Sequence, residues 1–476
     1  MKQSKNNIPL CIDLDGTLIA GDMLFESFLK AVKNHFWIMF IVPFWLLKGR
    51  HILKRNLLEY CEIDYSLLPY RQDILDFAVE QKKQGRNVVL VTASSNQVAK
   101  GVSEHLGFFD EYYGSDNKVN LKSEAKREFL VSKFGEKGYD YIGDSSADVA
   151  VWKSANQALV VSSNDGKDYP EINFTKIFTK KSASLKLFIK QIRVYQWVKN
   201  LLIFLPIMMA HKIYDFAAFQ NGILAFIAFS VIASSVYVTN DLLDLDADRQ
   251  HPRKRNRPFA KGDLPLSFGI ILAPLLFVLG IIVALFVDNI QFLYVLIAYY
   301  IITTAYSFSL KRIAIVDLVI LATLYTIRII AGGVSENVEI SPWLLAFSMF
   351  IFISLAVLKR YTELLSMIKE NRTKASGRGY HTGDANLLLS MGPASGYLAV
   401  VVFALYINSD QVVSLYSKPI VLWMIAPLLI YWISRLWLLA NRGEMTDDPI
   451  VFAGKDKASY IVFGLIFLIA IAAVSL

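Results

Sequence analysis

Apolar and polar positions divide this chain in two before any residue is given a role. Over roughly residues 1–178, short apolar runs at Pro9 to Ile12, Val88 to Val91 and Tyr139 to Ile142 each end in polar residues and are separated by helical patterns. Runs of that length predict buried parallel strands in an α/β sheet, with the polar residues gathered at the strand carboxyl ends. After about residue 200 the apolar stretches become nearly continuous and long enough to cross ~30 Å of hydrocarbon. Nine spans are expected, at 198–213, 217–239, 266–287, 290–308, 316–334, 341–358, 387–407, 420–440 and 459–476. The chain therefore reads as multidomain: an α/β domain over 1–178, then an all-α polytopic membrane domain over 198–476. Between them, residues 179–197 place Leu185, Phe188, Ile189 and Ile192 on one helical face and Lys186, Lys190 and Arg193 on others. Such a segment is an amphipathic connector suited to a membrane interface.

The first two strands are separated by an insertion, about 23–80, that reads as a helical cap and contains the stretch FWIMFIVPFWLL from Phe36 to Leu47. Twelve residues make a helix only ~18 Å long, and Pro43 interrupts it, so it is too short to span a bilayer. The expectation is a cap that touches the bilayer surface or the membrane domain, with a buried core helix as the alternative. Lys48, Arg50, Lys54 and Arg55 just beyond it would suit anionic headgroups.

Charge adds orientation. Lys and Arg crowd the loops after the second, fourth, sixth and eighth expected spans: Arg249 to Lys261, Lys311 and Arg312, Lys359 to Arg378, and Arg442 to Lys457. The third of these includes Lys369, Arg372 and Lys374, and the alternate loops are poor in positive charge. This predicts a multi-pass protein with a cytoplasmic N-terminal domain; the expected location is a bacterial-type inner membrane. The net charge of +8 is then mostly a topology signal, not a sign of nucleic-acid binding. Met1 to Asn7 is polar and the Ile8 to Ile12 run is short, so no cleaved leader is expected. Two cysteines, Cys11 and Cys61, suggest neither a disulfide framework nor a thiolate metal site.

Two sets of carboxylates carry the candidate chemistry. The first joins Asp13 and Asp15 in CIDLDGTL to Asp144 and Asp148 in YIGDSSAD; the second is Asn240, Asp241, Asp244 and Asp248 in TNDLLDLDAD. Both suit Mg²⁺ and phosphorylated substrates, because that hard cation prefers carboxylate and phosphate oxygens.

In the first set the motifs Asp13-Leu14-Asp15-Gly16-Thr17, Val91-Thr92-Ala93-Ser94, a lysine, and Gly143-Asp144-Ser145-Ser146-Ala147-Asp148 occur in order and resemble the haloacid dehalogenase superfamily of phosphohydrolases. The resemblance implies a Rossmann-like domain with Asp13 as nucleophile and Asp15 as general acid and base. It further implies Thr92, Ser94 and the lysine on the phosphoryl oxygens, and Mg²⁺ on Asp13, the Asp15 carbonyl and Asp144, with Asp148 in support. Lys118, Lys122 and Lys126 all compete for the lysine role; Lys126 is preferred because the helix Ser123 to Phe134 leads into the last strand, and Lys122 is second.

In the second set Asn240, Asp244 and Asp248 recur every four residues and so share a helical face, and HPRKRNRP follows directly. This segment resembles the first aspartate-rich motif of the UbiA superfamily of intramembrane prenyltransferases. A second motif of that kind is replaced by Tyr306-Ser307-Phe308-Ser309-Leu310-Lys311-Arg312 and Asp317. With RIIAGG around Arg328 and LKRYTEL around Lys359 and Arg360, residues 190–476 look most like the polyprenyl-phosphate phosphoribosyltransferases. That resemblance implies phosphoribosyl diphosphate and a polyprenyl phosphate as substrates. Asp241, Asp244 and Asp248 would hold Mg²⁺ on the diphosphate, Asn240 would orient a ligand, and Tyr306 would meet a sugar hydroxyl. Arg257, Lys311, Asp317, Arg328, Lys359 and Arg360 would serve the phosphates and the sugar.

The two resemblances together imply a bifunctional enzyme with Mg²⁺ at both sites: phosphoribosyl transfer, then removal of the 5-phosphate. Two rivals stay open, an aromatic prenyltransferase with an unrelated phosphatase attached, and an N-terminal domain that only docks. A homo-oligomer is compatible with the sequence but not indicated by it.

Overall fold

The protein is described by a computed structural model covering residues 8–116, 120–182, 184–371, 378–445 and 448–475. Of the sequence candidates, Lys118, Arg372 and Lys374 lie outside the described residues. Two compact units form, Met1–Ile192 with Val238–Leu272, and Arg193–Tyr237 with Ala273–Leu476.

In the first unit the strands are β1 (Leu10–Ile12), β2 (Val88–Ser95), β3 (Glu111–Ser115), β4 (Asp140–Gly143), β5 (Ala158–Ser162) and β6 (Phe174–Thr179). They form one parallel sheet in the order β3-β2-β1-β4-β5-β6. Only β1, β2 and β4 were expected. β4 is central and not last, because β5 and β6 lie beyond it. β6 is mostly exposed at the sheet edge and so shows no continuous apolar run. The chain order reverses between β1 and β4, and ligands of open α/β sheets bind beyond the strand ends at that crevice. Asp13 follows β1 and Asp144 follows β4.

The insertion is helical, with α1 (Met23–Asn34), α2 (Ile38–Leu47), α3 (Arg50–Glu59) and α4 (Gln72–Lys83). Helices α5 (Asn96–Leu106), α6 (Glu124–Phe134), α7 (Val149–Ser154) and α8 (Leu185–Gln191) complete the pattern. The stretch in α2 is no buried core helix: Phe40, Phe44 and Leu47 are 62%, 64% and 86% exposed.

Helix α9 (Phe204–Met209) belongs to the second unit, α10 (Phe216–Leu243) begins there, and α11 (Leu245–Gln250) and α12 (Pro258–Lys261) belong to the first. The remaining helices are α13 (Leu266–Ala284), α14 (Ile290–Phe308), α15 (Val316–Ser335), α16 (Pro342–Lys369), α17 (Ala385–Ile407), α18 (Asp410–Leu415), α19 (Ile425–Asn441), α20 (Pro449–Ala453) and α21 (Lys457–Ser475). Among the described residues, eight helices are long and apolar enough to cross a membrane, against nine expected spans. The difference is 198–213, where a 3₁₀ helix, Val194–Ile203, runs into the short α9. Helix α16 also continues well past the expected end at 358, so Lys359 and Arg360 are helical and not in a loop. The charged turn LKRYTEL permits this, since Arg360 and Glu363 pair at i,i+3.

Helices α16, α17 and α19 pack closely enough to exclude one methyl group. A Cβ on Gly392 would lie 1.9 Å from the Trp437 ring, whose indole N–H donates to Ser354 Oγ at 3.1 Å. Gly392→Ala is therefore expected to destabilise the helical bundle by about 1–3 kcal/mol. Thermal unfolding in detergent would read this as a lowered midpoint, and an unchanged midpoint would contradict the packing.

Candidate functional site

The first acid set closes around the β1–β4 crevice. Asp13 is 7% exposed, and Lys126, in the first turn of α6, places Nζ 2.9 Å from Asp13 Oδ1 and 3.6 Å from Asp148 Oδ1. Tyr141 accepts from the same ammonium at 2.8 Å and donates to Asp148 at 2.7 Å. Lys122 is exposed, although it lines the same cavity. Asp15 accepts from Met23 N–H at 2.8 Å and from the Ser94 hydroxyl at 2.7 Å. Thr92 is fully buried, accepts from Ser94 N–H at 2.9 Å, and does not line the cavity.

One oxygen each of Asp13, Asp144 and Asp148 lies within 4.8 Å of the others. Gly16, at φ +75°, brings the backbone so near that a Cβ there would fall 2.3 Å from Asp144 Oδ2, so only glycine fits. Burial pushes Asp13 up to about 7 against the pull of Lys126, and pushes Asp144 up to about 6 against Lys180, whose Nζ is 3.6 Å away. Asp15 is raised as well, by burial and then by Asp22. Lys126 stands above its ordinary value: burial opposes its charge, but Asp13 and Asp148 outweigh it. Three hard-oxygen donors around one buried ammonium leave net negative charge, which fits a small divalent cation. Asp148 Oδ2 accepts from the backbone N–H groups of Asp144 and Ser145, so that residue also braces the loop.

The cavity of about 900 Å³ above these acids is also lined by Lys54, Arg55, Lys180, Pro265, Leu266 and Ser267. Lys54 donates to the Ala93 carbonyl at 2.9 Å. Two cations expected at lipid headgroups thus face the cavity, because α3 returns over the strand ends after α2.

The second set stands where α10 meets α11. The helix is interrupted at Asp244, yet the i→i−4 bonds Asp244 N to Asn240 O and Asp248 N to Asp244 O persist at 2.9 and 2.8 Å, preserving the shared face. Arg257 bridges Asp241 and Asp248 at 3.0 and 2.6 Å, and Gln191 donates to Asp241 at 2.9 Å. Burial raises Asp248 to about 6, with Arg257 opposing. Asn240 Oδ1 is buried with no hydrogen-bond partner among the described residues, an acceptor that suits a ligand's donor or a cation. Among the described residues these acids do not form a tight triad like that of the first unit.

Polar clusters also stand among the described residues of the second unit. In one, Asp317, fully buried, accepts from Tyr306 OH at 2.6 Å, Arg360 Nε at 2.5 Å and Arg378 at 3.3 Å, while Arg360 also pairs with Glu363. In another, Asp448 Oδ2 lies 2.6 Å from Lys199 Nζ and 3.7 Å from Lys359 Nζ, and Asp448 Oδ1 caps α20. Arg328 is buried against Phe229, Tyr299 and Tyr325 and donates to Asn200 at 2.7 Å. Lys311 is half-buried in the 3₁₀ turn Leu310–Arg312.

Residues 201–453 match the model of the UbiA prenyltransferase family. The chain belongs to that family. It is 38% identical over 468 residues to the uncharacterized protein y4nM of Sinorhizobium fredii, covering 96% of this chain and 90% of the relative. It is 33% identical over 282 residues to nodulation protein NoeC of Azorhizobium caulinodans, covering 58% of this chain and 91% of the relative. The decaprenyl-phosphate phosphoribosyltransferase of Mycolicibacterium smegmatis is 30% identical over 284 residues, 58% of this chain and 88% of the relative.

Within this UbiA protein, sequence reasoning gave Lys54 to lipid headgroups and not to the first set, and missed Lys180 and Tyr141 there and Lys199, Glu363 and Asp448 in the second unit. A signal existed for Lys199: a lysine inside an expected membrane segment implies a buried acid to meet it.

Proposed function

We propose that the chain transfers the 5-phosphoribosyl group of phosphoribosyl diphosphate to a polyprenyl phosphate, releasing diphosphate, and then hydrolyses the 5-phosphate to leave polyprenyl-phosphoryl ribose. One observation carries this reading. A chain akin in its membrane part to a decaprenyl-phosphate phosphoribosyltransferase also gathers Asp13, Asp15, Lys126 and Asp144 around one cavity.

In the hydrolytic step, a carboxylate oxygen of Asp13 attacks phosphorus and the bond to the ribose 5-oxygen breaks, giving a phosphoaspartate. Asp15, held by Met23 N–H and Ser94, gives its proton to that departing oxygen. Its raised pKa suits the task. Asp15 then takes a proton from water, which attacks the phosphoaspartate and frees inorganic phosphate. Lys126 neutralises Asp13 before the attack and the phosphoryl oxygens during it. Mg²⁺, held by Asp13 and Asp144 with Asp148 behind them, would offset the repulsion between carboxylate and phosphate.

In the transfer step, Asp241, Asp244 and Asp248 would hold Mg²⁺ on the departing diphosphate, and Asn240 offers an acceptor with no partner among the described residues. Arg257 keeps Asp241 and Asp248 in place. Arg360 holds Asp317 and Tyr306, while Lys359 and Arg378, 32% and 19% exposed, bind phosphate oxygens. The acceptor phosphate is already ionised, so no strong base is required. Positive loops orient both acid sets to the cytoplasm in this reading.

The decisive experiment supplies purified protein with Mg²⁺, labelled phosphoribosyl diphosphate and polyprenyl phosphate. A ribosylated lipid lacking phosphate is expected. Prenylation of an aromatic acceptor with no ribosylated lipid would overturn the reading. The exposed aromatic face of α2 belongs to the same proposal, as a surface that reaches lipid-linked substrate. Phe40→Ser with Phe44→Ser should raise KM for the lipid substrate about tenfold. Hydrolysis of a soluble phosphate ester should stay unchanged, and an equal loss on both substrates would remove α2 from lipid recognition.

A further inference from the structure

Helix α1 supplies no residue to the attack on phosphorus, yet it touches both acid sets of the first unit. At its start Met23 N–H holds Asp15. One turn on, Glu26 receives both terminal nitrogens of Arg249 at 2.6 and 3.1 Å, with side chains only 1% and 7% exposed. Lys30 Nζ then lies 3.0 Å from Asp246 Oδ2, and Lys33 Nζ 3.7 Å from Asp244 Oδ1. Positions 26, 30 and 33 share one helical face, so a single face of α1 lies along the aspartate-rich helix α11 and its start.

The three contacts differ in kind. The Glu26–Arg249 pair is bidentate and buried, a geometry that fixes position as well as charge. The Lys33 contact is longer, single and about a third exposed, a point charge on a flexible stem. We propose that α1 is a positioning element of the transferase, in which Glu26 clamps α11 through Arg249 and Lys33 is a counter-cation of Asp244 that yields to the metal-bound diphosphate. The physical reason is charge. Asp241, Asp244, Asp246 and Asp248 repel one another, and α1 brings two ammonium groups to offset them until a divalent cation takes over at Asp244. Lys33 would then oppose that cation and must swing away. This rests on the transferase reading of Asp244 given above.

The test uses the full chain in lipid nanodiscs and does not depend on turnover alone. Mn²⁺ binding is followed by electron paramagnetic resonance in an Asp144→Asn background, so that the phosphatase acids contribute little. Adding Lys33→Ala should tighten Mn²⁺ binding about two- to fivefold, the worth of one partly exposed ion pair. Unchanged or weaker binding overturns the role of Lys33. Separately, Glu26→Gln should raise KM for phosphoribosyl diphosphate about tenfold or more with kcat little changed, by loosening a buried charge pair. Hydrolysis of p-nitrophenyl phosphate should hold steady, and the swapped pair Glu26→Arg with Arg249→Glu should restore KM. A parallel fall in both activities would make α1 a structural strut and overturn the clamp. If the unaltered protein transfers no phosphoribosyl group, the transferase reading fails on its own while the Mn²⁺ measurement still judges Lys33.

Discussion

An Asp13→Asn protein is expected to go on making a ribosylated lipid but to leave it carrying its 5-phosphate. The amide is nearly the same shape as the carboxylate, so the fold should survive. Lys126 keeps Tyr141 at 2.8 Å and Asp148 at 3.6 Å when the charge at 13 is gone. On the proposed mechanism, what would be lost is the nucleophile. An amide oxygen does not form the phosphoryl intermediate, and removal of a catalytic nucleophile costs at least about a thousandfold in turnover. Mass spectrometry of lipids from the labelled-donor reaction would show the product heavier by one phosphate group. The same lipid profile in wild type and variant would sink the two-step reading, and would favour an N-terminal domain that only docks. Absence of any ribosylated lipid in both would instead reject the transferase step.

The first acid set was legible because its residues are local to strand ends. Asp13 and Asp15 stand two apart beyond a short apolar run, and Gly16 is forced by the approach of Asp144. The cations around the cavity were not legible in the same way. Lys54 reaches Ala93 across 39 positions, and nothing in the sequence says that α3 folds back over β2. The membrane helices were visible from apolar length alone. The extension of α16 was hidden because charged residues mimic a loop until Arg360 is seen to pair along the helix. Strands β3 and β6 escaped for a related reason: neither is fully buried, so neither shows an unbroken apolar run. Asp317 was picked out as a candidate, but its partners Arg360 and Arg378 lie 43 and 61 positions away, a pairing only the fold could make.

That pairing makes Asp317→Ala the most damaging single change expected in the second unit. Asp317 has no exposure and neutralises Arg360, itself 2% exposed, with Tyr306 and Arg378 sharing its oxygens. Removing the carboxylate leaves Arg360 buried with Glu363 as its one acidic partner among the described residues, beside the Tyr306 hydroxyl, and breaking a buried ion pair from one side costs about 3–5 kcal/mol. Against a total stability of about 5–15 kcal/mol, that is enough to lower the yield of folded protein and to drop the unfolding midpoint by roughly 10 °C. Asp317→Asn, which keeps the shape and one acceptor oxygen, should fall between. The compensating double variant Asp317→Leu with Arg360→Met removes both charges and should recover most of the stability, because burying two apolar side chains carries no desolvation cost. Those stability measurements separate structure from substrate binding. If Asp317 acted only on a substrate, the alanine variant would lose activity at an unchanged midpoint, and the double variant would recover nothing. A lowered midpoint restored in the double variant, with transfer still absent, would assign the pair to holding α15 against α16 and leave phosphate binding to Lys359 and Arg378.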